Sequence, residues 1–189
     1  MSKTSPYERA ANWNKQRYCR VYSNDLTCNM IDEELEEYFD NLENDVEKLD
    51  ALCDIMFVAF GALWKMGFDY DDVQLLESDL AIHSWACPDN RSMPSIVLAI
   101  SFSKAMRFGY IAPKDCLALI LALVFEQAIS DGYTHDQFKR ALLAVCDSND
   151  TKAVERASFD VKANINKGKN YIPPTAALTL IVEEMKNAN

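Results

Sequence analysis

Five carboxylates fall into two groups, and the spacing within each group places its members along one side of a helix. Glu47, Asp50 and Asp54 are spaced i, i+3, i+7, and Glu34 and Glu37 are spaced i, i+3. A short polar link between the two stretches allows the helices to pack antiparallel, which brings the acidic sides together. Carboxylates that face one another repel unless a cation lies between them, and Mg²⁺ prefers oxygen ligands. The sequence therefore predicts that these five residues bind magnesium.

Residues 49–66 form a nearly continuous apolar stretch, and its core run, residues 51–64, contains Asp54. This run is shorter than the roughly 20 residues that a membrane span needs. It is long for a strand and has no enrichment in β-branched residues, so we predict a helix that is buried on almost every side. A buried carboxylate is costly unless it is paired, protonated or bound to metal. Asp54 is therefore expected to be the buried acid of the site.

The composition limits the class of function. The chain has 189 residues, a hydrophobic fraction of 49% and a formal net charge of −10. This length and this fraction suit one domain with a substantial core. The acidic balance argues against DNA or RNA as a partner, because a phosphate backbone needs a basic surface. It is compatible with a small phosphate ligand that is held through metal ions.

The six cysteines are scattered and form no CxxC pair; they are Cys19, Cys28, Cys53, Cys87, Cys116 and Cys146. This usage indicates reduced thiols, without a zinc site or a disulfide framework. No signal peptide is recognised, and the second apolar run, residues 116–125, is too short to cross a bilayer. We therefore expect a cytoplasmic protein without a membrane partner.

The hydrophobic pattern and the capping residues predict a single all-α domain over residues 1–189. The expected helices span about residues 29–42, 72–82, 94–108, 113–131, 134–146 and 175–185, with short helices after Pro6 and around 152–158. The central helix is expected to follow the polar link 40–45 and to run to about residue 66. The rest of the first 30 residues is predicted to be loop with scattered aromatics. These rings could stack a nucleobase or cover an edge of the core.

The acidic helix pair has a second, altered copy further along the chain. With Asp50 set on Asp115, the positions Leu52, Ile55, Phe60, Gly67 and Asp71 fall on Leu117, Ile120, Phe125, Gly132 and Asp136. In the same register Glu34, Glu37, Glu47 and Asp54 fall on Ala99, Phe102, Ala112 and Leu119. We predict a metal-site repeat over residues 29–82, a degenerate repeat over 94–147 and a lysine-bearing tail over 148–175. The alternative is a chance similarity between two buried helices.

These stretches resemble the motifs of the all-α nucleoside triphosphate pyrophosphohydrolases, which include MazG, phosphoribosyl-ATP pyrophosphohydrolase and the dimeric dUTPases. Residues 33–37 match the EExxE helix of that group. Residues 47–61 match the ExxDALxDxxYVxxG pattern of the phage and bacterial MazG-like form, with Phe57 in place of the usual Tyr. Residues 148–152 are similar to its SNxSK element, and residues 167–174 are similar to its KGxNYxPP tail.

The resemblance implies Mg²⁺-dependent hydrolysis of a (deoxy)nucleoside triphosphate to the monophosphate and pyrophosphate, in control of a nucleotide pool. It implies two or three Mg²⁺ ions on the five carboxylates, which Mn²⁺ can replace, and Glu34 or Glu37 as the base that activates water. The residues implied to close over the substrate from the tail are Asn149, Lys152, Lys167, Lys169 and Tyr171. A homo-oligomer, most simply a dimer, would complete the helical bundle.

Each part of this hypothesis has an alternative. The acidic helix could be a solvated helix start, the lysines of residues 162–169 a basic surface loop, and Asn149 a helix cap. The whole chain could be a non-catalytic helical interaction protein on the same fold. A di-iron site is rejected, because it needs Glu-x-x-His and neither His83 nor His135 has that spacing. Base preference is not predicted, and the candidates for base contact are Trp13, Asn14, Asn29 and Trp85.

Overall fold

The computed structural model describes residues 5–73, 93–153 and 168–188, and these residues form helices and turns without β-strands. The all-α prediction is confirmed. The helices are α1 (Pro6–Arg17), α2 (Asn24–Asp40), α3 (Asp45–Lys65), α4 (Ser95–Arg107), α5 (Pro113–Ser130), α6 (His135–Asp150) and α7 (Thr175–Ala188). The helices predicted near residues 72–82 and 152–158 lie almost entirely outside the described residues.

Helix α3 lies at the centre of the fold. It contacts α1, α2, α5, α6 and α7, and 12 of its 21 residues are buried. The Asn44 side chain accepts hydrogen bonds from the amides of Val46 and Glu47, which starts the helix where the polar link ends. The prediction of a buried central helix is therefore confirmed, and every other element is placed by its contact with α3 or with a neighbour of α3.

Helix α2 packs against α3 through a connection of four residues, 41–44, so the two helices run antiparallel. It begins at Asn24, more than a turn before the predicted start at Asn29. The reason is that the Ser23 side chain accepts a hydrogen bond from the Leu26 amide and caps the helix there. Apolar periodicity missed this start because the first turn is polar sequence.

The first 30 residues also contain more helix than predicted. Residues 6–17 form three turns, since the Ser5 side chain and the Glu8 side chain bond each other's backbone amides in a capping box. The prediction that most of this region is loop is wrong for that reason. Helix α1 joins two distant parts of the chain: Tyr7 Oη donates to the Phe68 carbonyl, and α1 also contacts α6.

Helices α4 and α5 form a second hairpin, in which α4 contacts α2 and α5 contacts α3. The two hairpins end alike, because Gly67 and Gly132 both have φ of 100° and the residue after each donates its N–H to the carbonyl five residues back. Reciprocal side-chain caps follow, formed by Asp69 with Asp72 and by Thr134 with Gln137. These features lie in the register of the predicted repeat, and the division of the chain into two repeats stays a prediction.

In the described residues, no single helix is long and apolar enough to cross a membrane. Helices α5 and α6 reach that length and composition only as a pair, and the chain bends by 118° between them. Helix α5 packs against α3 and α4, and α6 packs against α3, α1 and α7.

Helix α1 approaches α3 most closely at Gly61. A Cβ atom added at Gly61 would lie 2.5 Å from Nδ2 of Asn14. The Asn14 side chain is buried, and its Nδ2 donates a hydrogen bond to the Ala10 carbonyl. The amide therefore cannot move aside without losing a buried hydrogen bond, and the contact requires glycine at position 61.

We expect Gly61→Ala to lower the free energy of unfolding by about 1 to 3 kcal/mol, as overpacking of a core does. Helix propensity alone predicts the opposite sign, since alanine is favoured over glycine in a helix by roughly 1 kcal/mol. Urea unfolding of Gly61→Ala, Asn14→Ala and the double variant measures the coupling between the two positions. The double variant should recover much of the loss, and a gain in stability for Gly61→Ala alone would contradict the close approach of the helices.

Candidate active site

A cleft opens along one side of α3, with α1 and α2 beside it and the end of α6 at its margin. It contains about 710 Å³ of space that protein atoms do not fill, including open solvent at its mouth. Aromatic rings of Trp13, Tyr18 and Phe57 line it. Its charged and amide-bearing lining residues are Asn14, Glu34, Asp54, Lys65, Asn149 and Lys152. The cleft therefore combines apolar walls with a few polar groups of both signs.

The predicted metal ligands lie at and beside this cleft. Glu34 on α2 and Asp54 on α3 line it directly. Both residues are partly exposed, as are Glu47 and Asp50, whereas Glu37 is exposed. The structure therefore brings the two acidic helix sides together at one place, and it puts Glu34 and Asp54 where a ligand in the cleft would meet them.

Asp50 is the carboxylate whose ionisation is most perturbed. Burial and three acidic neighbours raise the pKa of Asp50 to about 7, while Lys152 acts in the opposite direction. The neighbours that raise it are Asp54, Glu47 and Glu37. The Oδ1 atom of Asp50 is buried and accepts no hydrogen bond. The expectation that Asp54 is the buried acid is therefore wrong, because Asp54 faces the open cleft one turn further along α3.

Asp54, Glu47 and Glu37 act electrostatically on Asp50, but these carboxylates and Glu34 do not form a closed metal site. Within the three described segments, no three His, Cys, Asp or Glu side chains converge closely enough to hold an ion. The chemistry of the group nevertheless fits Mg²⁺, since every donor is a carboxylate oxygen and one buried oxygen of Asp50 lacks a hydrogen-bond donor. Binding of an ion would require the side chains to turn towards one another.

The predicted tail residues divide between the cleft and the surface. Lys152 lines the cleft, and its ammonium lies 6.0 Å from the centroid of the Tyr171 ring. Its carbonyl accepts a hydrogen bond of 3.0 Å from Nη2 of Arg17, which ties the turn after α6 to α1. Lys169 is exposed, and Lys167 lies outside the described residues.

Asn149 lies in the last turn of α6 and is buried. Helix α6 continues to Asp150, beyond the predicted end at Cys146, so Asn149 does not occupy an N-cap and that alternative is wrong. Its carbonyl accepts a hydrogen bond of 2.8 Å from Nε1 of Trp13, and the residue lines the cleft. This bond joins α6 to α1 at the margin of the cleft.

Of the candidates for base contact, some line the cleft and others do not. Trp13 and Asn14 line the cleft. Asn29 is exposed elsewhere on α2, and its Oδ1 accepts a hydrogen bond of 2.9 Å from Arg107 on α4, so its proposed role is wrong. Trp85 lies outside the described residues. Asn14 and Asn29 have the same side chain but different surroundings, because Asn14 on α1 faces the cleft and Asn29 in the first turns of α2 faces α4.

Sequence reasoning missed Lys65 and Tyr18 as lining residues. Lys65 follows Asp54 by 11 residues, which is three helical turns and the same side of α3. That spacing could have predicted Lys65 as a lining residue from the sequence. Tyr18 follows the last residue of α1 and had no such signal, because its position depends on how α1 packs against α3.

The fold and the cleft define the class of this protein: an all-α protein in which two acidic helices meet beside a cleft. Residues 8–75, which span α1 to α3, match the sequence model of the phosphoribosyl-ATP pyrophosphohydrolase family. That family is part of the MazG-like all-α NTP pyrophosphohydrolase superfamily, which the motifs predicted. The match indicates a pyrophosphohydrolase that acts on a nucleotide. Comparisons with curated proteins and with solved structures give no match.

Proposed function

We propose that this protein hydrolyses a (deoxy)nucleoside triphosphate to the monophosphate and pyrophosphate with the help of Mg²⁺, in control of a nucleotide pool. One observation carries the proposal: a buried Asp50 oxygen without a hydrogen-bond donor lies among other carboxylates beside a cleft with aromatic walls. A triphosphate and this group of carboxylates are both negatively charged and repel each other, so cations between them would neutralise both. The family match over α1 to α3 supports the reaction type.

The ligands proposed for Mg²⁺ are Glu34, Glu37, Glu47, Asp50 and Asp54. When bound there, Mg²⁺ neutralises the polyphosphate and lowers the pKa of a coordinated water; Mn²⁺ accepts the same oxygen ligands. The chain's own contribution is to hold these oxygens on two packed helices rather than on loops. Rigid elements keep such a group close to its productive geometry.

Glu34 is the residue that we assign as the general base. It lines the cleft together with Asp54, whereas Glu37 is exposed. As a base, Glu34 would take a proton from the water that attacks phosphorus, after which the bond between the α- and β-phosphates breaks and pyrophosphate leaves. Glu37 is the other candidate, and its proposed role is then limited to binding the ion.

The tail residues are proposed to position the substrate. Lys152 would contact the phosphates, since it lines the cleft and its charge acts on Asp50. Asn149 would contact the sugar or the base from the end of α6. Tyr171, Lys169 and Lys167 belong to the same tail and would close over the bound nucleotide, a role that loops often have.

We also propose a cytoplasmic homodimer. The five cysteines in the described residues are free thiols, which suits a reducing compartment. Exposed apolar side chains on the second hairpin and on α7 offer a surface that another copy could cover. Examples are Phe108, Tyr110 and Leu180, with exposed fractions of 66%, 80% and 61%.

The net charge of −10 supports a small nucleotide rather than a nucleic-acid polymer as the ligand.

A substrate screen tests the proposed reaction. The common ribo- and deoxyribonucleoside triphosphates and phosphoribosyl-ATP are incubated with the protein in Mg²⁺, Mn²⁺ or EDTA, and monophosphate and pyrophosphate are quantified. We expect equal amounts of the two products from at least one nucleoside triphosphate with either cation and none in EDTA. Cleavage of phosphoribosyl-ATP alone would contradict the proposed substrate, and no cleavage at all would favour the non-catalytic interaction protein.

A further inference from the structure

Lys65 is a cation that lines the cleft without an acidic partner. It lies in the last turn of α3, and its ammonium is 4.0 Å from the centroid of the Tyr18 ring. Among the ion pairs of the described residues, none involves Lys65. Burial lowers the pKa of Lys65 to about 8, and no neighbouring charge opposes that change. The ammonium has therefore lost part of its hydration without gaining a carboxylate.

The two ends of the cleft differ in charge. Asp54 and Lys65 are 11 residues apart on α3, which corresponds to about 16 Å along a helix. Glu34 belongs to the Asp54 end, and Lys152 does too, because its charge acts on Asp50. Between the ends the wall of the cleft is apolar and lined by α3 itself. Among the described residues that line the cleft, Lys65 is the one cation at its end, and it is remote from the proposed metal ligands.

We propose that Lys65 determines base specificity by donating a hydrogen bond to a carbonyl oxygen on the edge of the nucleobase. This inference rests on the proposed function, which puts the phosphates at the Asp54 end of the cleft. The sugar and the base then extend along α3 towards Lys65. A nucleoside triphosphate has no anion at its base end, so the group that meets the ammonium is the edge of the base.

The chemistry of the ammonium selects between bases. It has three N–H donors and no acceptor. A carbonyl oxygen satisfies one donor, whereas an exocyclic amino group presents hydrogens to it and leaves a partly buried charge unpaired. Hypoxanthine, guanine, uracil and thymine carry a carbonyl at the position where adenine and cytosine carry an amino group. The protein should therefore prefer keto bases over amino bases.

The pair dITP and dATP tests the inference, because the two bases differ in the carbonyl or amino group at the six-position. We expect kcat/KM for dITP to exceed that for dATP by about tenfold or more, as for a hydrogen bond from a charged donor. In Lys65→Met the ratio should fall to about one, since methionine keeps the apolar stem without the donor. Lys104→Met is the matched control, because it removes an exposed lysine of α4 and should keep the wild-type ratio.

A binding measurement gives a second readout that does not depend on turnover. Calorimetry with dIMP and dAMP in buffer containing Ca²⁺ should show the same preference for dIMP, lost in Lys65→Met and kept in Lys104→Met. Lys65→Arg, which retains N–H donors and has no acceptor, should keep part of the preference and tests the inference if Lys65→Met folds poorly. A ratio near one in the wild type, or a ratio that Lys65→Met leaves unchanged, would overturn the inference.

The failure of this inference can be told apart from failure of the proposed function. If no nucleoside triphosphate is hydrolysed, the proposed function is wrong, and this inference, which rests on it, is wrong too. If hydrolysis occurs at a rate that depends on Asp54 but the base ratio does not depend on Lys65, only the specificity role is wrong. A Lys65→Met variant that loses only phosphoribosyl-ATP cleavage would assign the ammonium to a phosphate and would likewise overturn it.

Discussion

Asp54→Asn is expected to lower kcat/KM for pyrophosphate release by about 10²- to 10³-fold or more for every nucleotide that the protein hydrolyses. Asp54 lines the cleft and is proposed to bind Mg²⁺, and groups that stabilise the charge of a transition state have effects of this size. Glu34→Gln should have a similar effect, because it removes the proposed base as well as an ion ligand. Both side chains are partly exposed, so the helical circular dichroism should not change.

The two variants need controls that change the same charge outside the cleft. Asp115→Asn alters an exposed residue in the first turn of α5, at the position that corresponds to Asp50 in the second hairpin. Glu36→Gln alters an exposed residue of α2 two positions from Glu34. Both controls should keep wild-type turnover. Full activity in Asp54→Asn and Glu34→Gln would place the reaction centre away from this cleft.

Asp50→Asn is expected to stabilise the protein in EDTA at pH 8 and to destabilise it relative to the wild type when Mg²⁺ is present. Burial and acidic neighbours raise the pKa of Asp50 to about 7 in the folded protein, from an ordinary value of 3.8. Between these two pKa values the folded state holds a proton that the unfolded state has released, so the contribution of Asp50 to stability falls as the pH rises from about 4 to 7. Above pH 7 the ionised Asp50 lowers the free energy of unfolding by on the order of 4 kcal/mol, which corresponds to the difference between pKa values of 3.8 and about 7.

Urea unfolding in EDTA between pH 4 and pH 8 measures this dependence. The wild type should lose stability across that range relative to Asp50→Asn, by a few kcal/mol at most, while Asp115→Asn should follow the wild type. Adding Mg²⁺ at pH 8 should raise the free energy of unfolding of the wild type and change the variant little. Parallel pH profiles for the wild type and Asp50→Asn would contradict the burial of a repelled carboxylate.

Much of the helical architecture follows from short stretches of sequence. Pro113 lies at the first position of α5, and Gly67 ends the segment after α3 with a positive φ, because each of these residues favours one local backbone geometry. The apolar run of α3 predicts a buried helix without reference to any other element. Local signals failed where caps lie in polar sequence, as at Ser5 and Ser23, since polar residues there have many possible partners.

The arrangement of the candidate site depended on contacts between residues that are far apart in the chain. Helical spacing puts Asp50 and Asp54 on the same side of α3, but only packing decides that Asp50 has a buried oxygen and that Asp54 lines a cleft. The wall opposite α3 exists because Trp13 on α1 bonds the carbonyl of Asn149, 136 residues later. A helix determines the directions of its side chains about its own axis, whereas the positions of neighbouring axes are set by burial and hydrogen bonds elsewhere. The sequence alone therefore determined the helical class, the acidic residues and their resemblance to a known superfamily, and the tertiary structure alone decided which of them share a cleft with Lys65.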